Sequence, residues 1–100
     1  MASKLRFHPD VVNDLADAIA WYDERSPGLG DRFRAAVNDR FDAIEANPQR
    51  FGFAFEDFRF ARVFRFPYVV IFRSEESVTH IDGVFHTATD PAKWRRRMEP

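Results

Sequence analysis

The feature that most constrains this chain is a single change in hydrophobic period at Asn47-Pro48. Before it, apolar residues recur every three or four positions, the spacing that lines one face of an α-helix. After it they alternate with polar or small residues, the spacing of strands with a covered face. Helices followed by strands give segregated layers, because each element has one apolar surface to bury.

The helical half holds two stripes. Val12, Leu15, Ile19 and Tyr22, widened by Val11 and Ala18, predict a first helix. Pro9 suits its first position, where a missing N–H costs nothing. Asp10, Asp14 and Asp17 are expected on the other face or near the positive end of the helix dipole. Ser26-Pro27-Gly28 stops the helix. Phe33, Val37, Phe41 and Ile44, with Ala36 beside them, predict a second helix ending at Asn47-Pro48, since the residue before a proline avoids the α region. The short Pro/Gly joint makes the pair an antiparallel hairpin.

Lys4 to Phe7 form an extended start. In the second half Phe51, Phe53 and Phe55 alternate up to a turn at Glu56-Asp57. Phe58, Phe60, Arg62, Phe64 and Phe66 are then expected on one strand face, with Arg59, Ala61, Val63 and Arg65 on the other. Pro67 interrupts, and Tyr68 to Phe72 is β-branched and aromatic. Glu75-Glu76-Ser77 reads as a hairpin turn before a last strand, Val78 to His86, in which Gly83 marks a bulge or a close backbone approach. Asp90 can cap a short final helix running through Trp94 to Arg97. The expected fold is α+β: one domain over residues 1–100, a small antiparallel sheet packed by an α-helical hairpin, in the order β-α-α-β-β-β-α.

Composition narrows the function. With no cysteine, disulfides, thiolate chemistry and the common zinc-finger spacings are excluded. No apolar run approaches the roughly 18 residues that span a bilayer, and the N-terminus lacks a signal-peptide core, so no membrane contact and a cytoplasmic location are expected. A net charge of −1 argues against an obligate nucleic-acid binder. Positive charge is nevertheless local. Arg59, Arg62, Arg65 and Arg73 occur with no acid between them, and Lys93, Arg95, Arg96 and Arg97 follow in the tail. The 12 phenylalanines are read as core filling before base stacking, and Trp21 and Tyr22 as hairpin packing.

Phosphate loops, zinc-protease, EF-hand and nucleophile-elbow motifs are missing. Three scattered histidines make no metal site, and no cofactor is expected. His80, Asp82 and His86 are expected on one strand face, either as a base with its orienter or as a solvated surface. The arginines are the stronger candidates. Guanidinium groups gathered on a sheet can hold a phosphate, with a histidine or tyrosine moving protons; the alternative is pairing with helix acids.

These residues together resemble the RelE/ParE superfamily, toxins of type II toxin–antitoxin modules with plasmid-stabilisation proteins among them. The landmarks cover nearly the whole chain: Phe7-His8-Pro9, Ala18-Ile19-Ala20-Trp21-Tyr22, Pro27-Gly28-Leu29-Gly30 before Arg32-Phe33, and Ile44-x-x-Asn47-Pro48. Arg59 and Arg62, Phe66-Pro67-Tyr68, His86 and Asp90-Pro91-x-x-Trp94 with Arg97 complete the series. The resemblance implies a cognate antitoxin, bound by strand-edge pairing or in an aromatic groove along the hairpin. It implies one of two targets, DNA gyrase or ribosome-bound messenger RNA, and a dimer or a toxin–antitoxin hetero-oligomer. For a metal-independent endoribonuclease the implied catalytic set is Arg59, Arg62, Arg65, Tyr68 and His86. Two departures favour a protein-binding toxin. The segment Thr87-Ala88-Thr89 is uncharged where relatives carry basic residues, and the chain lacks the strongly basic balance of the nucleases. A third reading is a non-toxic interaction module on the same fold.

Overall fold

The computed structural model describes residues 3–99. Strand β1 (Lys4–Phe7) leads into α1 (Val11–Arg25) and α2 (Leu29–Ala46). A 3-10 turn at Pro48–Arg50 passes to β2 (Phe53–Phe55), β3 (Phe58–Arg62), β4 (Tyr68–Glu75), β5 (Val78–His86) and finally α3 (Pro91–Met98). The five strands lie in the order β1-β5-β4-β3-β2. Strands β2 to β5 are antiparallel as expected, but β1 joins the edge parallel to β5, with Phe7 opposite Ile81. Tight turns force antiparallel neighbours, whereas the whole helical hairpin separates β1 from the other strands and frees its direction. The sheet is therefore mixed, with the three-residue β2 as a fifth strand at the far edge.

The first helix starts later than Pro9. Pro9 and Asp10 form a turn in which Asp10 N–H donates to His8 Nδ1 (3.0 Å) and Val11 N–H to the His8 carbonyl (3.0 Å). The inward stripe phases on Val11, Leu15, Ala18 and Tyr22, and Val12 is 71% exposed. Gly28, at φ 88°, turns the chain from α1 into α2, a conformation a side chain would resist. The second stripe holds as expected: Phe33, Val37, Phe41 and Ile44 are all buried.

Strand β3 ends at Arg62 instead of running on to Phe66. Val63 N–H donates to the Tyr68 carbonyl (3.0 Å), and Arg65 takes φ 71°, so residues 63–67 fold back as a compact turn. Phe66 swings inward against Tyr22 and Phe33 while Phe64 stays 63% exposed. Neither continues the face of Phe58 and Phe60.

Both sheet faces are covered. The helical hairpin packs on Ala61, Val63, Val70, Phe72, Ile81 and Val84, and α3 lies on the other face against Val69, Ile71 and Phe85 through Trp94 and Met98. That explains the unbroken apolar run Val69–Phe72: β4 is central and buried on both sides. Asp90 caps α3 by accepting from Ala92 N–H (3.0 Å).

Asp14 departs most from expectation. It turns toward the sheet, accepts from Val84 N–H (3.0 Å) just beyond the end of β1, and pairs with both guanidinium nitrogens of Arg97 (Nη2 to Oδ1, 3.0 Å). Arg97 reaches there from α3 across the Phe85 ring, 4.6 Å from its centroid. Gly83 makes the passage possible, since a Cβ there would collide with Phe85 and lie 2.8 Å from Arg97 Nη1. Asp14→Ala strands the Val84 N–H and leaves Arg97 only the longer contact of its Nε with Asp10 (3.7 Å), so it is expected to cost about 2 kcal/mol, read as a lower urea midpoint at unchanged m-value.

Candidate functional site

The structure separates the five expected catalytic residues. Arg59 is consumed structurally: its guanidinium donates to the Phe51 and Gln49 carbonyls and to Gln49 Oε1 (3.2 Å), and stacks 4.0 Å from the Phe53 centroid. It ties β3 to the segment before β2. Arg62 sits on the α3 face of the sheet, in a cleft of about 290 Å³ floored by Phe60, Val69 and Ile71. Arg65 lies on the β3–β4 turn, toward the α2 side of the hairpin. None of the three has an ion-pair partner among the described residues, so they are not neutralised by helix acids.

Only Tyr68 and His86 meet. They are opposite in the β4–β5 register, with ring centroids 5.2 Å apart, on the hairpin side of the sheet. His86 Nδ1 accepts from Ala88 N–H (3.0 Å), and the residue is exposed. Burial pushes the Tyr68 phenol up, so it stays protonated through the physiological range. No arginine lines the groove that holds these two rings: Arg62 lies across the sheet, Arg65 lies on the turn beyond Pro67, and Arg59, although on the hairpin side opposite Phe72, is held by Gln49 and Phe51 at the other end of β3.

A β-bulge rearranges the remaining polar residues. The register slips between Ile71 and Phe72, opposite Gly83 and Ile81, which reverses the facing of β5. His80 lies opposite Arg73 and His86 opposite Tyr68, so the two histidines face opposite sides instead of sharing one. Asp82 falls in the bulge, 8% exposed, with Oδ2 unpartnered. Burial raises its carboxyl above the ordinary 3.8, although Arg73, His80 and His8 pull the other way. Among the described residues no group of three or more potential ligands could hold a metal ion, and no helix is long and apolar enough to cross a membrane.

The open concave surface is elsewhere, where the hairpin meets the β3–β4 turn. Tyr22, Phe33, Phe66 and Tyr68 form a tight aromatic cluster, with centroids from 4.8 to 6.2 Å apart. A groove runs along each side of it. One, of about 700 Å³, lies between α1 and the ends of β4 and β5, with Asp17, Trp21 and His86 on its walls. The other, of about 680 Å³, lies between α2 and the turn, with Arg32, Phe64 and Arg65. They meet at Tyr22 and Pro67. Trp21, expected as hairpin packing, is half-exposed here, with the Arg25 guanidinium 3.3 Å over its ring. The sequence carried a usable signal for this groove: an adjacent Trp-Tyr pair at the end of α1 cannot turn both rings inward.

A helical hairpin on a mixed five-stranded sheet, with an aromatic groove at the hairpin's edge, defines a small α+β domain. The chain belongs to the family of the ParE toxin of the type II toxin–antitoxin system, parDE, whose profile matches residues 5–91. No curated protein sequence matches it. Among solved structures it is similar to a chain of the chromosomal ParDE TA system from P. aeruginosa, at a TM-score of 0.75 and 12% identity, over 85% of this chain and 96% of that one. At that identity the likeness is one of fold, and it agrees with the α+β architecture expected from the sequence.

Two outcomes follow from the geometry. Arg65 holds a left-handed conformation that costs a non-glycine residue about 1 kcal/mol, so Arg65→Gly is expected to leave thermal stability equal or raised, and a clear drop in Tm would contradict that. For Asp82 the sign runs against folding. Its raised pKa makes the native state hold the proton more tightly, so its penalty is absent below pH 3.8 and grows until pH passes the raised value. Asp82→Asn should therefore match wild type in acid and be the more stable protein at neutral pH, by urea midpoints compared across that range.

Proposed function

We propose that this chain is the toxin half of a two-protein module. In this reading a co-encoded antitoxin silences it by laying a segment into the aromatic groove between the hairpin and the β3–β4 turn. When free, it arrests growth by binding a protein target in DNA replication, DNA gyrase being the one the family resemblance implies. The observation that carries this reading is that the groove holding Tyr68 and His86 is lined by no arginine, while Arg59 is bound to Gln49 and Phe51 and Arg62 lies across the sheet. Phosphoryl transfer needs charge stabilisation and proton transfer on the same phosphate, within hydrogen-bond reach of both. A groove lined by aromatic side chains on rigid elements suits protein binding instead.

Induction of the chain alone is expected to stop growth, and co-expression of the adjacent small frame to restore it. Absence of arrest would mean an interaction module without toxicity. The double variant Arg62→Ala/His86→Ala spares the structural Arg59 and should remain toxic. A nuclease would lose on the order of 10²–10³ in rate with its charge-stabilising arginine alone. Primer extension on cellular messages after induction gives the direct reading: new cleavage ends within minutes would overturn the gyrase proposal.

A further inference from the structure

The two halves of the groove differ in charge. On the α1 side the walls carry Asp14 and Asp17. Asp14 is spent on Arg97 and the Val84 N–H, but Asp17 is exposed and has no ion-pair partner among the described residues. Beside it stand the rings of Trp21, Tyr22, Tyr68 and His86. Arg25 already covers one face of Trp21, so the setting for a further cation is the free carboxylate of Asp17 with the remaining ring surface around it, where aromatic groups attract positive charge and apolar walls reduce the competition from water.

On the α2 side the balance reverses. Arg32 and Arg65 line the groove against a single acid, Asp39. Arg40 stacks 4.3 Å from the centroid of Phe64, which is itself 63% exposed on that wall. Arg65 is held at the rim by the left-handed turn, so its position is set by the backbone before anything binds. Guanidinium groups around an exposed phenyl ring suit a carboxylate on an apolar segment. Between the two ends Tyr22 and Pro67 offer an uncharged saddle.

We infer that the groove reads polarity along its length. It takes a partner segment that sets a lysine or arginine against Asp17 and Trp21, crosses Pro67 with apolar side chains, and sets an aspartate or glutamate among Arg32, Arg40 and Arg65. As a statement about the antitoxin segment this rests on the proposed function. As a statement about the two ends of the groove it stands on charge complementarity alone. The direction of the segment follows, since a reversed one would bring like charges together at both ends.

The test uses small probes on the full chain, followed by NMR. N-acetyl-arginine amide at millimolar concentration is expected to shift the Trp21 indole N–H and the His86 ring, and to leave Phe64 and Arg65 in place. N-acetyl-glutamate amide should do the reverse. Trp94, across the sheet, serves as the internal reference. Asp17→Asn removes the first response while the amide spectrum remains that of the folded protein, and Arg32→Gln/Arg65→Gln removes the second. Probes that shift the same resonances, or none, overturn the inference even if the co-encoded protein neutralises the toxin. If the probes sort by charge and the co-encoded protein fails to bind, the proposed function falls and the polarity of the groove stands. Where both hold, Asp17→Lys and Arg65→Glu should each weaken the co-encoded protein by about tenfold or more, and unchanged affinity in both would show that the partner uses another surface.

Discussion

The packing of Tyr22, Phe33, Phe66 and Tyr68 is the contact on which the rest of the molecule depends. Tyr22 comes from α1, Phe33 from α2, Phe66 from the β3–β4 turn and Tyr68 from β4, so four segments close on one another at a single point. Edge-to-face ring pairs add roughly 0.5–1.5 kcal/mol each beyond the area they bury. They also fix angles, which simple burial does not. The hairpin is thereby held against one end of the sheet, and the turn is drawn up between the helices. The two flanking grooves are the space this cluster leaves unfilled.

The bulge at Asp82-Gly83 has a similar reach in the other direction. One extra residue in β5 reverses every side chain after it. His86 is delivered to the hairpin side beside Tyr68, and Phe85 to the opposite face, where it stacks on Trp94 with centroids 5.6 Å apart. Without the slip α3 would meet Val84 and His86 in place of the phenyl ring. The buried, poorly solvated carboxylate of Asp82 is the cost of that device, and it sits where the strand is already irregular.

The sequence made the layers legible because both helices and the central strands obey their periods. The stripe of α2, the turn at Glu56-Asp57, the long β5 and the Asp90 cap could all be read from spacing and local chemistry. What escaped depends on backbone events that leave no periodic trace. Of the adjacent Val11 and Val12, both in the expected stripe of α1, only Val11 is turned inward. The turn at residues 63–67 ended β3 four residues early, and the bulge split His80 from His86. Asp14 departs from the solvated place usual for helix acids because, three residues after Val11, it falls on the inner face. Arg59, Arg62, Arg65 and Tyr68 are near one another in sequence, but a sheet sends alternate side chains to opposite faces and a turn sends them elsewhere. The groove, assembled from α1, α2 and the turn, lies in no single stretch of sequence.

Asp14 bears on how any second chain can approach. Because β1 is four residues long, the outer edge of β5 beyond Ile81 has no neighbouring strand. An unguarded edge of that kind is a template onto which another β-strand can add. Here the donor at Val84 is already engaged by a carboxylate, itself locked by Arg97 from the far side of the sheet. An incoming strand would have to break that lock before pairing with Val84. Strand addition at this point of the edge is thereby coupled to opening of the Asp14–Arg97 pair, a contact between α1 and α3.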